Sequence, residues 1–229
     1  MNTAIIVAAG NGSRFGSERP KQFLEILGKP IIQYSLERFD AAPSIDSIVV
    51  VVSADEVEKF AQLSRDFGVG KLKFVVAGGA TRASSVSNGL RSVDDACEIV
   101  AVHDAARPLV TVDEIERAIA AAAKSGAACL TAPVNDTIKL VDGGEITGTV
   151  DRTRLRRALT PQAFRFSLLR QAFEAVGTGE NITDECSLVE RLGHPIIAVA
   201  GNSVNIKVTH PEDLVIVEAF IRNGYLDQV

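Results

Sequence analysis

Ser47-Ile48-Val49-Val50-Val51-Val52-Ser53-Ala54-Asp55-Glu56 holds both halves of an α/β unit. Its β-branched run has no polar alternation, the pattern of a strand covered on both faces and hence of a parallel sheet. Ser53-x-x-Glu56 has the spacing of a capping box and predicts a helix from there to about Asp66. The same alternation continues outward. Upstream, a strand over 3–9 precedes a helix near 30–40 with Pro30 in its first turn. Downstream come strands at Leu72–Ala77, at Ile99–His103 and at Ala127–Val134. A helix between the last two is capped by Thr111-x-x-Glu114 and ends near Ser125-Gly126. Repeated βα alternation predicts a doubly wound, mostly parallel, Rossmann-like sheet with helices on both faces.

One segment breaks the rhythm. Residues 137–150 read as two short strands around Asp142-Gly143-Gly144-Glu145, a β-hairpin where a crossover helix is due. A lone hairpin is marginal in water, so it packs on its own domain or on a second subunit. Four arginines follow it, Arg152, Arg154, Arg156 and Arg157, as a solvated face or a reach into a partner's site. Alternation then resumes. Arg157–Phe164 is strand or loop, helices cover 167–176 and Thr183–Leu192, and late strands cover Pro195–Ala200 and Val204–Val208. Thr209-His210-Pro211-Glu212 starts a last helix to about Asn223. The expectation is a single domain over 1–229 with an inserted arm at about 136–157.

The first strand runs into Gly10-Asn11-Gly12-Ser13-Arg14-Phe15-Gly16 and on to Pro20-Lys21-Gln22. Small residues let backbone N–H groups approach a ligand, and Arg14 and Lys21 add positive charge. The plain alternative is a tight turn with two surface cations. A Walker loop needs Gly-Lys-Ser/Thr, but Ser17-Glu18 follows Gly16. A dinucleotide fingerprint needs its third glycine three residues after the second, but Gly12 to Gly16 is four.

Length, 229 residues, suffices for one large domain, and 46% hydrophobic with 23% charged residues is an ordinary globular balance. A net charge of −5 gives no bulk affinity for nucleic acid or anionic membrane, so any phosphate site must be local. No apolar run approaches the ~18 residues that cross a bilayer. There is no signal-peptide pattern, and Cys97, Cys129 and Cys186 are too scattered for a disulfide framework or zinc site. A cytoplasmic location with reduced thiols is expected. Cys186, inside a polar motif, reads as an inert neighbour more readily than as a reactive thiol.

Ligands of such sheets bind beyond the carboxyl ends of the strands. Polar motifs stand there at Gly78-Gly79-Ala80-Thr81-Arg82 with Ser84-Ser85, at His103-Asp104-Ala105-Ala106-Arg107-Pro108, and at Asn205-Ile206-Lys207-Val208-Thr209. Asp104 could hold Mg²⁺ on a triphosphate or cap a turn. Arg107 suits a second phosphate. Lys207, in an apolar pattern, must meet solvent or a partner. His103 reads as a satisfied strand-end histidine. Thr183-Asp184-Glu185 opens a helix as a cap, and such an end also suits an anion. No Ser/His/Asp set or buried acid–base pair is present. A phosphate nucleophile needs none, being anionic already, so alignment and charge stabilisation suffice.

Taken together, these motifs resemble the cytidylyltransferases that join CTP to a sugar or polyol phosphate. The matching pieces are Ala8-Ala9-Gly10-x-Gly12-x-Arg14, Pro20-Lys21-Gln22, Gly78-Gly79-x-x-Arg82-x-x-Ser85 and His103–Pro108. They continue with Asp136-Thr137-Ile138-Lys139, Thr160-Pro161-Gln162-x-Phe164, Thr183-Asp184-Glu185 and Asn205–Thr209. The likeness is greatest to members whose acceptor is 2-C-methyl-D-erythritol 4-phosphate, in the non-mevalonate isoprenoid pathway. Ribitol 5-phosphate is the alternative acceptor.

The resemblance implies a homodimeric enzyme built on the arm. In it Arg14, Lys21 and Lys207 are catalytic and Mg²⁺ is the cofactor. Ala8, Ala9, Gly10, Gly12, Gly79, Ser85, Asp104 and Ala105 surround the nucleotide, with Asp104 near the metal. Arg107, Thr183, Lys207 and the arm's Thr137 and Arg152 hold the acceptor, Arg152 reaching in from the partner subunit. Three positions depart from the usual pattern: Val7 stands where proline is common, Leu159 where glutamine is common, and Gly201-Asn202-Ser203-Val204 has no acid.

Overall fold

The computed structural model describes residues 1–10, 21–179 and 182–227, with the Lys21 side chain outside that description. In chain order it forms β1 (Asn2–Ala8), the two-residue strands β2 (Glu25–Ile26) and β3 (Lys29–Pro30), α1 (Ile31–Ala41) and β4 (Ser47–Val52). Next come α2 (Val57–Leu63), β5 (Leu72–Ala77), α3 (Arg82–Leu90), β6 (Ile99–Asp104), α4 (Val112–Ser125) and β7 (Ala127–Pro133). The hairpin β8 (Lys139–Asp142) and β9 (Glu145–Thr149) precedes β10 (Arg156–Arg165), α5 (Phe166–Val176), α6 (Glu185–Arg191), β11 (Ile197–Ala200) and α7 (Pro211–Arg222).

Seven strands make one sheet in the order β11-β7-β10-β6-β1-β4-β5. All ladders are parallel except the two made by β10, which runs antiparallel between β6 and β7. The chain passes from β1 to β4 and β5 on one side, then returns to lay β6 on the other. That reversal opens a crevice at the carboxyl ends of β1 and β6, the ligand position of doubly wound sheets.

Successive strand residues face opposite sides. Ile6, Ile48, Val50 and Val52 therefore pack with Leu36, Phe39, Ile115 and Ile119 on one face. Ile5, Val49 and Val51 pack with Val86, Leu169, Phe173 and Leu188 on the other. The β-branched run of β4 is buried on both sides, as its sequence requires.

Three local expectations change. The box at Ser53 does not form: Glu56 turns to Lys59 instead (Nζ to Oε1, 3.0 Å), and residues 54–56 make a 3-10 turn before α2. The last helix is capped by Asp213 rather than Glu212. Its carboxylate accepts from the N–H groups of Thr209 (2.7 Å) and His210 (2.8 Å). Residues 204–208 form no strand and pair with none of the seven. Their polar groups go elsewhere: Val208 N–H bonds to Ala106 O (2.8 Å), and Arg107 Nη1 donates to Asn205 O (2.8 Å). The box at Thr111 and Glu114 forms in both directions, and Gly126 ends α4 at φ 93°. The hairpin forms with Gly143 and Gly144 at positive φ, which its two-residue turn requires. No helix among the described residues is long and apolar enough to cross a membrane.

Gly78 fixes how the strand ends meet. A Cβ there would strike the Ala9 Cβ, sit 2.8 Å from Ser85 Oγ and 3.3 Å from Val52 O. Gly78→Ala is therefore expected to lower stability by about 1–3 kcal/mol through overpacking. Denaturant unfolding checks it, and an unchanged midpoint would contradict this close approach.

Candidate active site

Asp104 ends β6 with its side chain only 10% exposed. Three cations from three separate segments converge on its carboxylate. Arg82 Nε donates to Oδ1 at 3.1 Å, Lys207 Nζ lies 2.9 Å from Oδ2, and Arg107 Nε lies 3.5 Å from Oδ2. Burial alone would raise the Asp104 pKa. The charges of Arg82, Lys207 and Arg107 outweigh it and hold the carboxyl well below its ordinary range. The cluster sits in the crevice between β1 and β6, where Ala8 and Ala105 are buried and the Ala105 N–H bonds to Val7 O at 3.0 Å.

The three cations differ in freedom. Lys207 has 35% of its side chain exposed, Arg82 25% and Arg107 12%. Lys207 is thus the most accessible of the three. Arg107 is fixed from inside by Asn205 O, and its carbonyl accepts from Ser35 Oγ at 3.4 Å and from His103 Nε2 at 3.3 Å. Burial lowers its pKa.

His103 is fully buried, and one donor chain accounts for both its nitrogens. Asp104 N–H donates to Thr160 Oγ1 (3.1 Å), and Thr160 Oγ1 lies 2.9 Å from His103 Nδ1. The Thr160 hydroxyl then donates to Nδ1, which leaves Nε2–H to donate to the Arg107 carbonyl. Burial pushes its pKa down to about 3, so the ring is neutral near pH 7. It serves as a spacer under Asp104, in accord with its reading as a satisfied histidine.

The residues expected around the nucleotide are held by small hydrogen-bonded turns. Ser85 is buried; its Oγ accepts from Gly79 N–H (3.1 Å) and donates to Thr81 O (2.9 Å). Thr81 and Ser84 form a capping box at the start of α3. Gln22 is the residue whose structural part the sequence did not declare. Its amide donates to the carbonyls of Ala8 and Gly10, which fixes Gln22 against the end of β1. Gly10 is exposed. Gly12 and Arg14 lie outside the described residues, as does the side chain of Lys21.

The residues expected to hold the acceptor are only partly brought together. Thr183 is exposed beside Asp184, which caps α6 by accepting from Ser187 N–H at 2.9 Å. Thr137 and Arg152 lie on the arm, and among the described residues neither bonds to the Asp104 cluster. Arg152 Nη1 instead donates to Asn135 O. Glu185, next to Thr183 and Asp184, is fully buried and bonds to Arg82 Nη1 through both oxygens, at 2.7 and 2.9 Å. Sequence reading quoted both residues without giving either a part. Nothing local marks a buried ion pair 103 positions apart.

All three cysteines are free and buried. A hydrogen bond with the Cys129 thiol and burial both push the Cys186 thiol up, which keeps it protonated and inert.

Residues 2–223 match the family of 2-C-methyl-D-erythritol 4-phosphate cytidylyltransferase. A protein of that name from Geobacter metallireducens is 42% identical over 224 residues, which cover 96% of this chain and 97% of that one. One from Geotalea uraniireducens is 40% identical over 225 residues, covering 96% and 97%. Among solved structures, the 4-diphosphocytidyl-2C-methyl-D-erythritol synthase of Anaerococcus prevotii is similar with a TM-score of 0.84 at 28% identity, covering 96% of this chain and 98% of that one. The 2-C-methyl-D-erythritol 4-phosphate cytidylyltransferase of Thermus thermophilus gives a TM-score of 0.78 at 33% identity, covering 95% and 98%. With this match running through every strand of the sheet and every motif on its rim, the chain belongs to the 2-C-methyl-D-erythritol 4-phosphate cytidylyltransferase family.

Proposed function

We propose that this chain transfers CMP from CTP to 2-C-methyl-D-erythritol 4-phosphate, giving 4-diphosphocytidyl-2-C-methyl-D-erythritol and pyrophosphate. The observation that carries the reading is the convergence of Arg82, Arg107 and Lys207 on Asp104 at the crevice between β1 and β6. Ribitol 5-phosphate as acceptor is not favoured, because the relatives described above are named for methylerythritol phosphate.

In this reading an acceptor phosphate oxygen attacks the α-phosphorus, and the bond from that phosphorus to the β-phosphate oxygen breaks. Pyrophosphate carries the electron pair away. The attacking oxygen is anionic at neutral pH, so no base is required, and His103 is neutral with both nitrogens engaged. Catalysis is then alignment and charge stabilisation. Arg14 and Lys21 act on the pentacoordinate phosphorus, while Lys207 and Arg107 hold the acceptor phosphate with Thr183. Ala8, Ala9, Gly10, Gly12, Gly79, Ser85 and Ala105 frame the nucleotide.

Mg²⁺ is the cofactor in this reading, with Asp104 as its carboxylate in exchange for one of the cations that now engage it. The described residues contain no group of three or more His, Cys, Asp or Glu able to cage a metal, and Mg²⁺ normally takes one or two carboxylates with substrate phosphates. Asp104 would hold the ion, which when bound supplies neutralising charge to the triphosphate. The absence of an acid in Gly201–Val204 leaves Asp104 as its single proposed carboxylate.

The arm supports a homodimer. Leu140, Val141 and Ile146 expose 55%, 62% and 67% of their surface on a two-stranded hairpin, apolar area that a second copy would cover. Thr137 and Arg152 would then complete the partner's acceptor site. A cytoplasmic location fits this reading.

Pyrophosphate release with CTP should occur with 2-C-methyl-D-erythritol 4-phosphate and not with ribitol 5-phosphate; release with neither ends the reading. Lys21→Ala should lower turnover at least ~100-fold, about 2.7 kcal/mol of transition-state stabilisation. Near-normal turnover would remove Lys21 from the chemistry. Dimers mixed from Arg152→Ala and Lys21→Ala chains should regain activity, since one of their two sites receives both wild-type residues. No regain would mean that each arm serves its own site.

A further inference from the structure

Arg82 and Glu185 carry a buried connection that the transfer reaction, as read above, leaves without a part. Glu185 is fully buried at the first position of α6, and among the described residues its carboxylate bonds only to Arg82 Nη1. The same guanidinium reaches Asp104 Oδ1 through Nε. Burial raises the Glu185 pKa, with the Arg82 charge opposing it. Arg82 itself is aimed by the first turn of α3, where Thr81 and Ser84 cap each other. The start of α6 is also held from β10. Gln162 Nε2 donates to Asp184 Oδ2 (2.7 Å), and Gln162 Oε1 accepts from Cys186 N–H (3.1 Å). Arg82 is therefore the side chain that joins this anchored end of α6 to the carboxylate at the end of β6.

We propose that Arg82 and Glu185 are a positioning pair for nucleotidyl transfer. They set the orientation of Asp104 and, through α6, the distance from Asp104 to the segment carrying Thr183. This rests on the transfer reading above and adds to it how the nucleotide and acceptor halves of the site are kept in register. The guanidinium suits the task because its nitrogens form a planar fork that can serve two carboxylates at once, which a lysine ammonium does not match. Neither residue is assigned contact with the reacting atoms.

The test uses Arg82→Gln, Arg82→Lys, Glu185→Gln and the Arg82→Gln/Glu185→Gln double variant in the full chain. Thermal melting, CTP binding by calorimetry, and pyrophosphate release with each substrate varied in turn are measured for each. Arg82→Gln and Glu185→Gln should each lower kcat at least ~10-fold and raise the acceptor KM, about 1.4 kcal/mol or more in the barrier. CTP affinity should fall less than the acceptor kcat/KM. Arg82→Lys should recover part of the loss. The double variant should be no worse than the poorer single variant, because the two changes remove one connection. Glu185→Gln keeps the size of the side chain and answers the question should Arg82→Gln fail to fold. Lower melting temperatures with wild-type kcat and KM would make the pair a plain structural ion pair and overturn the proposal, as would losses that multiply in the double variant. Wild-type chain that releases no pyrophosphate overturns the transfer reading and this pair together; competent wild type with unaffected variants overturns the pair alone.

Discussion

A single carboxylate, Asp104, must be kept charged at the carboxyl end of the central strand of a hydrophobic sheet. Burying an ion is costly unless charge and hydrogen bonds compensate it. Compensation comes from Arg82 at the start of α3, Arg107 in the turn after β6, and Lys207 in the irregular segment before α7. Each of those segments is irregular or just beginning a helix, so none could hold its cation in place by itself. The cluster and the turns define one another. Removing the carboxylate would leave three cations close together with mutual repulsion.

Beneath that cluster the packing is arranged to leave Asp104 where it is. His103 presents a neutral ring and joins the Thr160 hydroxyl to the Arg107 carbonyl. Thr160 in turn accepts from the Asp104 N–H. The antiparallel strand β10 matters here, because it brings both Thr160 and Gln162 alongside the end of β6 and the start of α6. A purely parallel sheet would put a strand's carboxyl end, not these two side chains, at that place.

Much of this was legible in the sequence because it is written locally. The β-branched run of β4, the Thr111 box and the Gly143-Gly144 turn each depend on residues within a few positions of one another. The rim motifs were legible too, since a doubly wound sheet brings its strand ends to one side. Other features were not, and the reasons are physical. Ser53 and Glu56 have box spacing, but Lys59 offers Glu56 a closer partner. Val204–Val208 has strand composition, yet a strand needs a neighbour, and its carbonyls turn instead to Arg107, Ile206 and Thr209. The direction of β10 cannot be read from its residues. Arg82 with Glu185 and Gln22 with the Ala8 and Gly10 carbonyls are contacts whose meaning exists only in three dimensions.

The sequence distances within the cluster also bear on how the chain reaches its native state. Arg82 meets Glu185 across 103 positions, and Arg107 meets the Asn205 carbonyl across 98. Closing such loops costs entropy before any contact returns it, and pairings of this kind form slowly. During synthesis, β1, β4, β5 and β6 can assemble around a common core while Asp104 still lacks Lys207. Arg82 can meet Asp104 early, but Glu185 and Lys207 join the rim only once the later part of the chain is made. Assembly of the crevice becomes a late event in folding, governed by the final fifth or so of the chain.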